Sequence, residues 1–221
     1  MRKSIKKELF KPILSKEIFI CSDHLGGIFS KLLNQSSSVD EYLNLFTVTE
    51  KCAGSGIKES VFNPEDSALY WTCGGNDPSD KWIQIEMKDL YLKITGYVLM
   101  SIDDPCCHFL KSWYLEGRNS DAEEWKRIDE RSNEEELDGQ KKVKSFRNNV
   151  LTSCTFRKFR LMVTDNFRHD SNYGTYVVIN EMDFFGHVVK TPNNNDNCNT
   201  RDCSRRSTSV FVSFLIVHLI T

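Results

Sequence analysis

Apolar and polar positions along this chain change their period twice. Leu25, Ile28, Phe29, Leu32 and Leu33 follow the 3.6-residue repeat of a helix, with Asp23 placed to cap it. The polar stretch Asn34 to Ser38 stops that run, and Val39 to Leu45 is predicted to form another helical turn. From Phe46 to about Gly186 the period becomes two. In Trp82 to Met87, Ile83, Ile85 and Met87 share one face while Gln84 and Glu86 share the other, as in a half-buried strand. After Lys88-Asp89, Leu90, Leu92 and Ile94 alternate again, and Gly96 precedes the run Tyr97 to Met100. Further strands are predicted over Ser112 to Gly117, Trp125 to Ile128, Val143 to Phe146, Phe156 to Val163 and Tyr176 to Phe185. Many short strands with polar turns and no helices between them predict an all-β fold, a β-sandwich of antiparallel sheets. An α/β enzyme with a parallel sheet would need helices between its strands.

This divides the chain into an N-terminal helical extension (1–44), a sandwich (45–188) and a C-terminal tail (189–221). The tail opens on Pro192-Asn193-Asn194-Asn195-Asp196-Asn197, which has nothing to bury and reads as a disordered linker. It closes on an apolar run, Val210 to Ile220. As a helix that run reaches about 16 Å, short of the roughly 30 Å hydrocarbon core. A strand docked on the sandwich, or an accidental extension of the reading frame, is preferred here over a membrane or lipid anchor.

Composition adds limits. The 221 residues carry 29 Lys+Arg against 31 Asp+Glu, a net charge of −2, without the global positive charge of a nucleic-acid binder. In Phe156 to Leu161 the cations Arg157, Lys158 and Arg160 split between two strand faces, so no basic stripe forms and no nucleic-acid partner is expected. Eight cysteines pose the question of redox compartment. Lys11, Pro12, Lys16 and Glu17 break every apolar run before Cys21, leaving no export signal visible, so a cytoplasmic chain with free thiols is expected. The one glycosylation sequon, Asn34-Gln35-Ser36, is close to chance frequency. Cys106-Cys107-His108 and the Cys198, Cys203 pair lack the spacing of zinc knuckles. His169-Asp170-Ser171 places triad residue types side by side, where a working triad draws on separated segments. No P-loop, H-E-x-x-H or nucleophile elbow is present.

Four ordered segments do carry a pattern. Leu110 to Asp121, with Ser112-Trp113-Tyr114-Leu115-Glu116-Gly117, is followed by Trp125 to Asp129; upstream stand Tyr70-Trp71 and Trp82 to Glu86; downstream stand Phe159-Arg160-Leu161 and Asn180 to Gly186. In this order they resemble the discoidin family, the coagulation factor V/VIII type C domain, over about residues 45–188. The resemblance implies a jelly-roll β-sandwich of the galactose-binding-like type, used as a recognition module and not as an enzyme. It implies ligand binding through loops at one end, here residues 60–76, 101–111 and 165–176. Candidate ligand contacts in or near them are Trp71, His108, Asn166, Arg168, Asn172 and Tyr173. For Trp71, burial beneath the loops is preferred over stacking on a ligand.

The chain also departs from the family. Cys52 lies near the sandwich start, but no cysteine stands at Gly186 to close the domain ends. Carbohydrate-binding members often hold a structural calcium, and Asp66 and Glu181 fit two of its positions. Leu69 and Pro64 do not, which weighs against calcium, and no other cofactor is expected. The resulting expectation is a cytoplasmic, non-catalytic module for a protein or glycan ligand. Its alternative is a membrane-attached lectin or lipid-binding adhesin held by Val210 to Ile220.

Overall fold

A computed structural model describes residues 26–51, 58–63, 70–74, 81–104, 108–148, 154–167 and 176–190. Ten strands are placed among them: β1 (Phe46–Lys51), β2 (Trp71–Cys73), β3 (Trp82–Met87), β4 (Tyr91–Met100), β5 (Leu110–Arg118), β6 (Lys126–Arg131), β7 (Val143–Arg147), β8 (Lys158–Asn166), β9 (Val177–Ile179) and β10 (Glu181–Val189). They form a five-stranded sheet in the order β1-β3-β8-β5-β6, a three-stranded sheet in the order β10-β4-β7, and a small β2-β9 pair. Every pairing is antiparallel. The chain crosses between the two large sheets at β3 to β4, β4 to β5, β6 to β7 and β7 to β8. This is the all-β sandwich that the alternation predicts.

The core lies between the sheets. Ile83, Ile85 and Met87 of β3 point into it, as the period-two pattern requires, with Leu92 and Ile94 of β4, Leu115 of β5, Phe159 and Leu161 of β8 and Phe184 of β10. The strand predicted over 176–185 is broken at Asn180, whose N–H turns to the Met100 carbonyl at 3.0 Å. β9 therefore joins β2 while β10 joins β4. Gly186 sits at the bulge in β10 with φ 138°, and a Cβ there would come within 2.1 Å of the Lys93 carbonyl. Only glycine fits that turn of the strand.

Two helices, α1 (Ile28–Gln35) and α2 (Val39–Leu43), fill one open side of the sandwich. That side is bounded by β1 and β10, the edge strands of the two sheets. Ile28, Phe29, Leu32 and Leu33 of α1 and Tyr42 of α2 join the strands in one continuous core. The Phe29 ring lies 5.4 Å from Phe46, 5.1 Å from Phe62 and 5.7 Å from Phe184, tying helix, strands and the turn Lys58–Phe62 together. Ser38 caps α2 by accepting from the Glu41 N–H at 3.2 Å, and Glu41 accepts from the Ser37 N–H at 2.8 Å.

The start of α1 differs from its sequence-based expectation. Asp23 lies outside the described residues; the cap position is Gly27, which has no side chain to offer. The missing acceptor comes from β10. Asp183, fully buried, accepts from Gly27 N (3.0 Å), Phe29 N (2.8 Å), Ser30 N (3.1 Å) and Ser30 Oγ (2.7 Å), and from its neighbour Phe184 N (2.7 Å). One carboxylate thus satisfies the orphan donors of a helix start and meets its positive dipole end. Gly27 must be glycine for this approach, because a Cβ would stand 2.6 Å from Asp183 Oδ1 and 2.4 Å from the Phe184 carbonyl.

The expectation of free thiols is also corrected: Cys73 and Cys154 are each disulfide-bonded. Both half-cystines are buried. The linker and apolar run of the tail lie outside the described residues. Among the described residues no helix is long and apolar enough to cross a membrane.

Candidate ligand-binding end of the sandwich

Strand pairing brings three separate segments together at one end. β2 and β9 pair from Trp71↔Ile179 to Cys73↔Val177, and the last residue of β8, Asn166, pairs with Leu110 at the start of β5. His108 is held just before β5 by its carbonyl, which accepts from Val178 N at 3.1 Å, while Phe167 N donates to the Phe109 carbonyl at 2.9 Å. Beneath them Ile102, Phe109 and Val178 form a satellite apolar cluster with Phe167 packed against it. The floor of this end is therefore apolar.

Asn166 occupies its centre, only 2% exposed. Its Nδ2 donates to the Tyr176 carbonyl and lies 3.4 Å from His108 Nδ1. Its Oδ1 is buried with no hydrogen-bond partner. The His108 and Tyr176 rings lie 6.1 Å apart at a 56° tilt. Alongside, Lys81, Val163, Asp165, Asn166, Tyr176 and Val177 line a shallow depression with no enclosed room for a water molecule. Asp165 accepts from the Asn166 N–H at 2.9 Å and pairs with Lys111 at 2.7 Å, so its carboxylate is already engaged.

Of the six ligand contacts suggested by the sequence, His108 and Asn166 meet here. Arg168, Asn172 and Tyr173 lie outside the described residues. Trp71 takes the preferred of its two readings, burial: it has no exposed surface, and its indole N–H donates to Glu50. It offers no face for stacking and acts as a core residue joining β2 to the edge strand β1. The sequence reading missed Lys81 and Tyr176, which stand at the ends of strands and belong to no motif.

Glu181 begins β10 opposite Met100. Its carboxyl is buried with Oε1 unpartnered, and burial, reinforced by the nearby Asp183 charge, pushes it up to about 7. Burial likewise pushes Asp183 above the ordinary carboxylate range, opposed by its bonds from Phe29, Ser30 and Phe184. Calcium would need about six to eight oxygen ligands. Among the described residues no group of three His, Cys, Asp or Glu side chains stands together, and the Asp183 oxygens are spent on α1. Asp66, the second expected ligand, lies outside the described residues. The described residues alone do not make a calcium shell.

The raised Glu181 gives a pH prediction. An acid that is harder to ionise when folded stabilises the fold fully below its unfolded value, near 4.5, and loses that contribution as pH climbs through about 7. Stability measured by urea melts should fall across this window by about 1 to 2 kcal/mol, allowing for solvent screening. Glu181→Gln should flatten that slope; an unchanged slope would assign it to other groups.

The outward face of the five-stranded sheet is built differently. Arg160 pairs with Glu116 at 2.7 Å, Lys158 with Glu86 at 3.0 Å and Asp121 at 2.9 Å, and Trp125 lies between the guanidinium groups of Arg118 and Arg160, each 4.3 Å from its ring centre. Arg157 precedes β8 and pairs with Glu86. The cations of this strand are neutralised locally by carboxylates.

Comparison with known proteins finds no matching protein-family model and no matching curated protein. Among solved structures the chain is similar to a family 32 carbohydrate-binding module from a Clostridium perfringens family 31 glycoside hydrolase, with TM-score 0.49, 16% identity, and coverage of 65% of this chain and 92% of that one. It is similar also to the family 32 module of Clostridium perfringens NanJ in complex with galactose (TM-score 0.45, 12% identity, 66% and 95% covered). A third is the C-terminal domain of a Bacteroides fragilis chitobiase (TM-score 0.45, 22% identity, 65% and 91% covered).

Proposed function

We propose that this chain is a non-catalytic recognition module that takes a glycan at the end where His108, Asn166 and Tyr176 meet. The observation that carries this is the Asn166 carboxamide. Its N–H groups are turned to Tyr176 and His108, while its buried Oδ1 lacks a donor. An unmet buried acceptor costs about 1 to 3 kcal/mol, and a ligand that brings a donor to it recovers that cost. Sugar hydroxyls donate and accept at once, which suits a site offering the Asn166 acceptor and the His108 ring. Arg168, Asn172 and Tyr173 are proposed to add contacts from the loop that follows.

Glycan-array binding of the full chain tests this. Galactose, a GalNAc-galactose disaccharide and chitotriose, bound by similar modules, belong on the panel. His108→Ala and Asn166→Ala should each weaken binding about tenfold, the loss of one good hydrogen bond. Thermal melting of both variants separates lost contacts from lost fold, since Asn166 also ties down Tyr176. Folded variants that bind like the wild type, or a wild type that binds no glycan, would overturn the reading.

A second reading, a surface-held lectin, is favoured by one observation. Cys73 and Cys154 are disulfide-bonded, and such bonds persist mainly in oxidising compartments. On this reading the chain is exported, and Val210 to Ile220 holds it at the membrane. Deleting residues 210–220 should then release it from the membrane fraction.

A further inference from the structure

We infer that Asn34 is an N-glycosylation site, carrying an oligosaccharide on the exposed side of the helix that closes the sandwich. Asn34-Gln35-Ser36 is the chain's one Asn-x-Ser/Thr sequence, and its motif alone says little. Two structural observations change its weight. The first is placement: Asn34 is exposed next to the fully packed Leu32 and Leu33, at the next-to-last position of α1, so a large glycan there displaces no core group. The second is chemistry: disulfide-bonded Cys73 and Cys154 favour an oxidising compartment, where N-linked transfer also occurs. The inference thus rests on the exported reading above.

The same geometry sets when transfer happens. In the folded protein Ser36 Oγ donates to the Leu32 carbonyl at 2.9 Å, and the Ser36 N–H is shared between the Leu32 and Leu33 carbonyls at 3.1 Å each. The sequon is then locked into a helix end, away from an extended conformation that a transferase can grip. Transfer must precede folding of α1. The co-reactant is a polyprenyl-pyrophosphate-linked oligosaccharide: Asn34 Nδ2 bonds to the anomeric carbon, the carbon–oxygen bond to pyrophosphate breaks, and the pyrophosphate leaves with the electron pair. The Nδ2 proton passes to the transferase base.

The test uses the full chain purified from its own cells, with alkylation of free thiols in denaturant before reduction, and peptide mapping after treatment with a glycan-releasing amidase in heavy-oxygen water. The expected result is quantitative conversion of Asn34 to labelled aspartate, lost in Asn34→Gln and Ser36→Ala and retained in Ser36→Thr. Unconverted Asn34 in a protein whose Cys73 and Cys154 resist alkylation overturns this inference and leaves the exported reading standing. Unconverted Asn34 with both cysteines alkylated overturns the two together.

Discussion

Replacing Asp183 with alanine should destabilise the whole protein by about 3 to 5 kcal/mol, because several buried donors lose one shared acceptor. The carboxylate accepts from Gly27, Phe29, Ser30 and Phe184, and without it the first turn of α1 loses its long-range cap. Each buried donor left unmet costs about 1 to 3 kcal/mol, though partial relaxation keeps the total below their sum. The loss should not stay local. Phe29 packs on Phe46, Phe62 and Phe184, so α1 cannot lift away without opening the core between β1 and β10. Urea denaturation followed by tryptophan fluorescence should show a single transition at lower midpoint. Two separated transitions, with the sandwich as stable as before, would show α1 to be an independent appendage. Asp183→Asn keeps one acceptor oxygen and should lose less. Gly27→Ala should act through the same contact, since its Cβ has no room beside Asp183.

Asp129→Ala is expected to be comparably damaging. Asp129 lies with no exposed surface on β6, accepts from Tyr97 Oη at 2.7 Å and pairs with Arg131 Nε at 2.8 Å. Trp113 Nε1 donates in turn to Tyr97 Oη at 2.9 Å, and Arg131 also reaches the Arg147 carbonyl at 2.7 Å. The network thus links β4, β5, β6 and β7 across both sheets. Removing the carboxylate leaves a half-buried guanidinium and a buried phenol without their acceptor, at a cost of about 3 to 5 kcal/mol. Burial and the Asp129 charge together push the Tyr97 hydroxyl well above the ordinary phenol range, so it stays a donor throughout the usable pH range. The paired variant Asp129→Leu with Arg131→Met should cost much less than Asp129→Ala alone, because it removes both charges. Equal losses would place the stability in packing and not in the ion pair.

Much of the fold was legible one strand at a time. Ile83, Ile85 and Met87 announce their burial by alternation, and burial against a sheet is a property each strand carries locally. The helical spacing of Ile28, Phe29, Leu32 and Leu33 likewise predicts the buried face of α1, though not that this face completes the sandwich core. The candidate site was legible only as a set of loops. His108 and Asn166 were named from loop position, as was Trp71, for which burial was preferred and which has no exposed surface on β2.

The sequence by itself determined an all-β sandwich, the faces of its strands and the short helices before it, because periodicity records which side of each element meets water. It could not determine which polar groups meet. Asp183 caps a helix start 156 positions away, Tyr97 finds Asp129 across 32, and Asn166 meets His108 across 58. Those pairings depend on strand register and on how the two sheets close, which no local pattern encodes. The disulfide state of Cys73 and Cys154 belongs to the same class, since two thiols bond only where the folded backbone brings their Cβ atoms within about 4 Å.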